Sequence, residues 1–255
     1  MSELVQVEQT DGVLVVTINR PHARNAVNYA CADAMSKAFE RLDADPSLRI
    51  GIVTGAGGTF CAGMDLKDFA KSGIRPRIGD KGFAGINEAP PAKPLIAAVE
   101  GYAVAGGFEM VLACDLVVAA SDAQFGLPEV KRGLVAGSGG LLRLPRRMPY
   151  HLAMELILMG DEISAQRAYD HGLVNRLTQP GQALAQALEM ARRISENGPL
   201  AVQTSKRLVI EGQDWSQDEM FAKQAVRMKH IFESEDAREG ALAFAEKRKP
   251  VWKNK

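Results

Sequence analysis

The stretch PLIAAVEGYAVAGGFEMVLACDLVVA, residues 94–119, decides the fold. It holds an apolar run over 94–99, a helix opened by two glycines over 106–113, and a second apolar run over 116–119. Short apolar runs bounded by turn residues read as buried strands, and glycines at the helix start mark where the chain turns. Strand, helix, strand is the signature of an α/β protein. Working outward, residues 27–42 carry Met35, Ala38, Phe39 and Leu42 at helical spacing and end near Pro46. Residues 49–54, with Ile50, Ile52 and Val53, then read as a short buried strand. At the beginning, 4–9 and 13–19 alternate apolar and polar residues around Asp11-Gly12, the pattern of a β-hairpin. These units share no sequence period, so they are parts of one fold and not a solenoid.

Beyond Leu127 the character changes. Helical spacing runs over 138–144, 151–159, 164–171, 181–195, 199–211 and 218–232, with 173–177 as the only expected strand. An α/β core with a helical extension follows. Residues 71–94, with Gly, Pro and scattered charges, have no period and read either as a mobile loop beside a site or as a surface linker.

Composition removes whole classes of function. The 255 residues carry 31 Lys+Arg against 31 Asp+Glu, so no overall field attracts polynucleotides or anionic membranes. Hydrophobic residues at 46% and charged residues at 24% are globular values, which excludes disordered and fibrous classes. Cys31, Cys61 and Cys114 form no CxxC pair, pointing to a reducing, cytoplasmic compartment. No stretch approaches the roughly 18 to 20 apolar residues of a membrane span, and the acidic start is unlike a targeting segment. His22, His151, His171 and His230 are scattered without an HExxH pattern, so no metal site is expected.

Three glycine-containing turns follow strands: TGAGGTFCAGMD (54–65), GYAVAGGFE (101–109) and LVAGSGG (134–140). None has the Lys and hydroxyl of a Walker loop, the spacing of GxGxxG, or the spacers of GxSxG. They offer exposed backbone instead. Gly106-Gly107 at a helix start leaves N–H groups unpaired at the positive end of the dipole, a place for a developing oxyanion. A second donor is expected from Gly63-Met64-Asp65, where another helix begins. Glu109 sits in the apolar text AGGFEMVLA, where an unpaired carboxylate is costly, and Glu129 follows Pro128 at another expected helix start. Alone, each fits the preference of acidic residues for first turns. Together, beside an oxyanion hole, they read as an acid/base pair.

These residues resemble the enoyl-CoA hydratase/isomerase (crotonase) superfamily. The resemblance lies in FCAGMDL (60–66), in the long run from Glu100 through FGLPEVKRGLVAGSGGLLRLPRRMP to Pro149, in GLVNRL (172–177), and in RPHARNAVN (20–28). It implies a crotonase-like spiral of ββα units, classed α/β (α+β), over 1–195, with a helical region at 196–255 used in trimer assembly. A homotrimer or dimer of trimers is the expected state.

Carried over residue by residue, the resemblance puts the oxyanion hole on the N–H groups of Met64 and Gly106 and the acid/base pair on Glu109 and Glu129. In such hydratases the first glutamate activates water for addition at C3 and the second delivers or removes the C2 proton. Arg24, Ala26, Ala62, Asp65, Leu66, Lys67 and Gly107 are the expected contacts to substrate and coenzyme A. Lys247, Arg248 and Lys249 either meet a CoA phosphate of a neighbouring subunit or form a solvated tail. The acyl pocket is expected from 71–94, Phe108, Val135 and Ala136. Coenzyme A enters as part of the substrate, and no separate cofactor is implied. SGGLLRLPRRMP with LPEVKRG is most similar to the crotonobetainyl-CoA (carnitinyl-CoA) hydratase branch, with Leu141 and Leu142 where ordinary hydratases carry polar residues. The expected activity is reversible hydration of a 2-enoyl-CoA. The alternatives are an isomerase, another acyl-CoA lyase or hydrolase, a non-catalytic acyl-CoA binding protein, and an RNA binder, against which the zero net charge counts.

Overall fold

The computed structural model describes residues 4–255. The chain opens with the antiparallel hairpin β1 (Val5–Thr10) and β2 (Val13–Ile18). Its turn places Asp11 and Gly12 at positive φ, the condition under which a tight turn matches strand twist. Then come α1 (Tyr29–Ala44), β3 (Ile50–Gly55), α2 (Leu66–Ser72), the short pair β4 (Arg77–Ile78) and β5 (Gly82–Phe83), β6 (Leu95–Val99), β7 (Tyr102–Val104), α3 (Gly106–Ala113), β8 (Leu116–Ala120) and β9 (Gln124–Gly126). The remainder is α4 (Gly140–Arg147), α5 (Tyr150–Met159), β10 (Glu162–Ser164), α6 (Ala165–Asp170), β11 (Arg176–Thr178), α7 (Ala183–Ser195), α8 (Pro199–Gly212), α9 (Met220–Phe232) and α10 (Glu235–Ala245).

The main sheet runs β1-β2-β3-β6-β8-β11, and every pair after the hairpin is parallel. Parallel strands are covered on both faces, and the alternation of their side chains sorts the core into two layers. Val13, Val15, Ile50, Ile52, Ile96, Ala98 and Val118 face α7, which meets them with Ala183, Ala187 and Ala191. Alanines at successive i,i+4 positions let that helix lie close to the sheet. Leu14, Val16, Ile18, Val53, Leu95, Ala97, Val99 and Ala119 face the larger layer built with Met35, Phe39 and Leu42 of α1. A second sheet, β10-β9-β7, stands beside the first, and α3 leaves its β7 edge with every residue buried.

Differences from the sequence pattern have physical causes. β7, β9 and β10 are three residues each, too short to show alternation. The expected helix start at Glu129 is a 3-10 segment, Pro128–Arg132, closed by Gly133 at positive φ. Residues 71–94 are no plain surface linker, because Phe83, Ala84 and Ile86 enter the core and Arg77 pairs with Glu88 across the β4–β5 turn. α10 was outside the expected helices; the Ser234 side chain caps it by accepting from the Ala237 N–H. No helix among the described residues is long and apolar enough to cross a membrane.

α8 is tied to the core by one cation. Lys206 Nζ donates to Pro91 O (2.8 Å), Lys93 O (3.0 Å) and Asp115 Oδ2 (2.7 Å), while Asp115 Oδ2 also accepts from the Leu95 N–H at the start of β6. Removing one partner of a buried pair leaves the other uncompensated. Lys206→Met is expected to destabilise the protein by about 3 kcal/mol, read as a lower urea midpoint at unchanged slope.

Candidate active site

Two loops come together first. Arg20 is a buried arginine whose backbone N–H donates to Asn25 Oδ1 (2.9 Å), while Asn25 Nδ2 donates to Ala56 O (2.8 Å) and Thr59 O (2.6 Å). Its guanidinium donates to Ala26 O and pairs with Asp65 at 2.8 Å. Asp65 in turn caps α2, accepting from the N–H groups of Lys67 and Asp68. This network locks residues 20–26 to 61–65 and holds Arg24 and Asn25 at positive φ. Arg20 and Asn25 were not among the expected site residues. Their signal was present in RPHARNAVN, where an Arg and an Asn flank a turn and can satisfy its buried backbone.

The second junction joins residues 61–65 to the start of α3. Val104 donates to Cys61 O (3.0 Å) and Cys61 to Tyr102 O (3.0 Å), so the 61–65 turn is an added edge on β7. The Val27–Met64 bridge uses the Gly63 carbonyl and the Asp65 N–H, which leaves the Met64 N–H directed away from Val27. The Gly106 N–H is a first-turn donor of α3 and has no partner within the helix. A Cβ on Gly63 would lie 2.9 Å from Ala105 Cβ and 3.1 Å from Gly106 N, so glycine alone lets the two turns touch. Ala105, the residue before α3, sits at φ 52° and ψ −130°, a sparsely populated conformation that tilts the helix start toward Gly63. Gly107 is packed tighter still, 2.2 Å between a built Cβ and Cys61 O.

The two carboxyl groups are held differently. Glu109, 3% exposed, lies in the first turn of α3, and its Oε1 accepts from the N–H groups of Ser138 (2.7 Å) and Gly140 (2.9 Å). Burial pushes its pKa up, and those two N–H donors and the Arg143 charge oppose the rise. Glu129, half-buried, has a buried Oε2 without a hydrogen-bond partner among the described residues. Burial first, and the Glu109 charge in addition, push its pKa up to about 7. Two carboxyls in unequal settings, one with N–H donors that favour its ionised form and one without, are the kind of pair whose pKa values are pushed apart.

The remaining expected residues fall as follows. Ala62 donates to Arg24 O (3.0 Å), Ala26 is buried, and Leu66 and Lys67 are exposed on the first turn of α2. Arg24 is exposed and makes no ion pair among the described residues, so its charge is open to a ligand. Phe108 is fully buried in the core against Phe125, with ring centroids 5.4 Å apart. Phe83 takes the place beside the site instead, its ring 2.7 Å from a built Cβ on Gly106. Ala136 is buried and Val135 is exposed. Arg248 is engaged by Glu239 and Glu246, whereas Lys247 and Lys249 make no ion pair among the described residues. All four histidines are exposed.

Residues 8–255 match the family model of Enoyl-CoA hydratase/isomerase. The crystal structure of an enoyl-CoA hydratase, EchA1, from Mycobacterium marinum superposes with a TM-score of 0.97 at 57% identity, covering 100% of both chains. The enoyl-CoA hydratase EchA19 of Mycobacterium tuberculosis is 44% identical over 98% of this chain and 96% of its own. A carnitinyl-CoA dehydratase of Salmonella arizonae is 42% identical over 99% of each.

Proposed function

Because the chain belongs to the enoyl-CoA hydratase/isomerase family, with a crotonase-type fold, we propose that it is a hydro-lyase that reversibly hydrates a 2-enoyl-CoA thioester with Glu109 and Glu129 as its acid/base pair. The observation that carries this reading is the unequal setting of the two carboxyls, one held by two N–H donors and the other left with an unpartnered buried oxygen.

In hydration, ionised Glu109 removes a proton from water as the oxygen bonds to C3. The C2–C3 π electrons shift toward the thioester, whose oxygen gains charge against the N–H groups of Met64 and Gly106. Protonated Glu129 then gives its proton to C2. Donors aimed at that oxygen stabilise the enolate-like state more than the ground state. Dehydration runs the same steps in reverse. Arg24, Ala26, Ala62, Asp65, Leu66, Lys67 and Gly107 bind the CoA and thioester part, and the remote binding energy holds C2 and C3 at the carboxyls. Assembly is as a homotrimer or a dimer of trimers, in keeping with the exposed apolar residues Phe221, Val226 and Phe232 of α9. The compartment is cytoplasmic. Carnitinyl-type acyl groups join straight-chain ones as substrates to test, on the names of the relatives and on Leu141 and Leu142.

Turnover needs one proton shared between the pair. As pH rises through about 7, Glu129 loses it, and kcat/KM falls in both directions. A profile flat from roughly pH 6 to 9 would contradict that role. The reading as a whole is tested by loss of the enoyl-thioester absorbance of crotonyl-CoA and crotonobetainyl-CoA, with Glu109→Gln and Glu129→Gln as controls. Wild-type rates in both variants would remove the assignment.

A further inference from the structure

α4 carries a guanidinium that the mechanism above does not use. Arg143 is half-buried, takes part in no ion pair among the described residues, and has an Nη1 that is buried without a hydrogen-bond partner. An arginine stays charged in proteins, so a half-buried one with an unmet N–H is a costly group to keep. Its position is specific. The Arg143 N–H donates to Gly139 O (2.9 Å), and the side chain folds back so that Nη1 lies 2.3 Å from where a Cβ on Gly139 would be. The guanidinium therefore lies over the turn of residues 138–140, whose N–H groups at Ser138 and Gly140 donate to Glu109 Oε1.

We propose that Arg143 is a positioning residue for Glu109: it packs the 138–140 turn in place from above Gly139, and its cation holds the Glu109 carboxylate ionised and aimed for the water it activates. The charges around this pair are few. Arg147 on α4 repels Arg143, while the carboxylates of Glu109 and Glu88 act in its favour; the Cys114 thiol, kept protonated by burial, also faces Arg143, and Glu129 is the acidic group that faces Glu109. Burial draws the Arg143 pKa down, and the Glu109 carboxylate opposes that fall. The role assigned to Glu109's water rests on the hydratase reading; the electrostatic link between the two side chains does not.

The test is a direct titration of Glu109 in the free protein, by NMR of protein labelled with ¹³C at the Glu carboxyl, with Glu109→Gln identifying the resonance. Arg143→Gln and Arg143→Met remove the charge and keep much of the side-chain volume, so either one that folds suffices, and Arg143→Lys keeps the cation. The Glu109 midpoint is expected to rise by about one pH unit in the uncharged variants and to stay near wild type with Lys. Alongside, kcat for crotonyl-CoA hydration near neutral pH should fall about tenfold in the uncharged variants while KM holds within about twofold, and thermal melts of the same preparations separate this from a loss of folded enzyme, which would also lower apparent kcat. An unmoved Glu109 midpoint in the uncharged variants overturns the proposal. Absence of hydration by the wild-type protein would overturn the hydratase reading alone, because the titration needs no turnover.

Discussion

Glu109→Gln is expected to lower kcat for hydration of a 2-enoyl-CoA by about 10²–10⁴-fold, the range that a positioned general base supplies. The substitution is close to isosteric. A glutamine oxygen can still accept from the N–H groups of Ser138 and Gly140, so the turn that holds the side chain keeps its partners. What is lost is the ability to take a proton from water. The thioester still meets the N–H donors of Met64 and Gly106, so KM should change little, and a loss confined to kcat marks an interaction made only in the transition state. Stability should not suffer, because burial disfavours the ionised carboxylate that the amide replaces. Steady-state rates at saturating crotonyl-CoA, together with thermal melts of both proteins, check the expectation; equal loss of kcat and of Tm would point to a folding defect instead.

Gly107→Ala is the second large effect. The added methyl would fall 2.2 Å from Cys61 O and 2.9 Å from Cys61 C and Cβ. The obstacle is backbone, and that backbone is held by the bonds from Cys61 to Tyr102 O and from Val104 to Cys61 O. No side chain can rotate away, so α3 and the 61–65 turn must separate. Overpacking of this kind costs about 1–3 kcal/mol of stability. It also moves the Gly106 and Met64 donors apart, and a displacement of about 1 Å in such a pair costs about 10²-fold in rate. Chemical denaturation and kcat/KM measured on one preparation should both fall. A variant of normal stability and normal rate would show that the close approach of Gly107 to Cys61 is not needed.

Much of the scaffold was legible in the chain because it follows from periodicity. The parallel strands β3, β6 and β8 are apolar runs buried on both faces, α1 and α3 stand where apolar spacing and glycines put them, and Asp11-Gly12 marks the hairpin. The glycine turns and the two glutamates were legible for a related reason, since a carboxylate in AGGFEMVLA needs a partner that only tertiary structure can give. That partner, the 138–140 turn, was not legible, because nothing in GSGG says which buried group its N–H donors will meet. Three-residue strands escape for lack of alternation, and Pro128–Arg132 adopts a 3-10 turn where Pro-Glu suggested a helix. Arg20 escaped because an arginine beside a turn reads as surface, whereas here two loops set the Ala26 carbonyl and the Asp65 carboxylate around one buried guanidinium.

The most direct test of hydration by this pair of glutamates is mass spectrometry of the acyl-CoA products after incubation of crotonyl-CoA and crotonobetainyl-CoA in water enriched in ¹⁸O. Hydration adds one labelled water to the acyl group of at least one substrate in the wild-type protein and far less of it in Glu109→Gln. A product of unchanged mass with a moved double bond, release of free CoA, or substrate bound and recovered intact would contradict it.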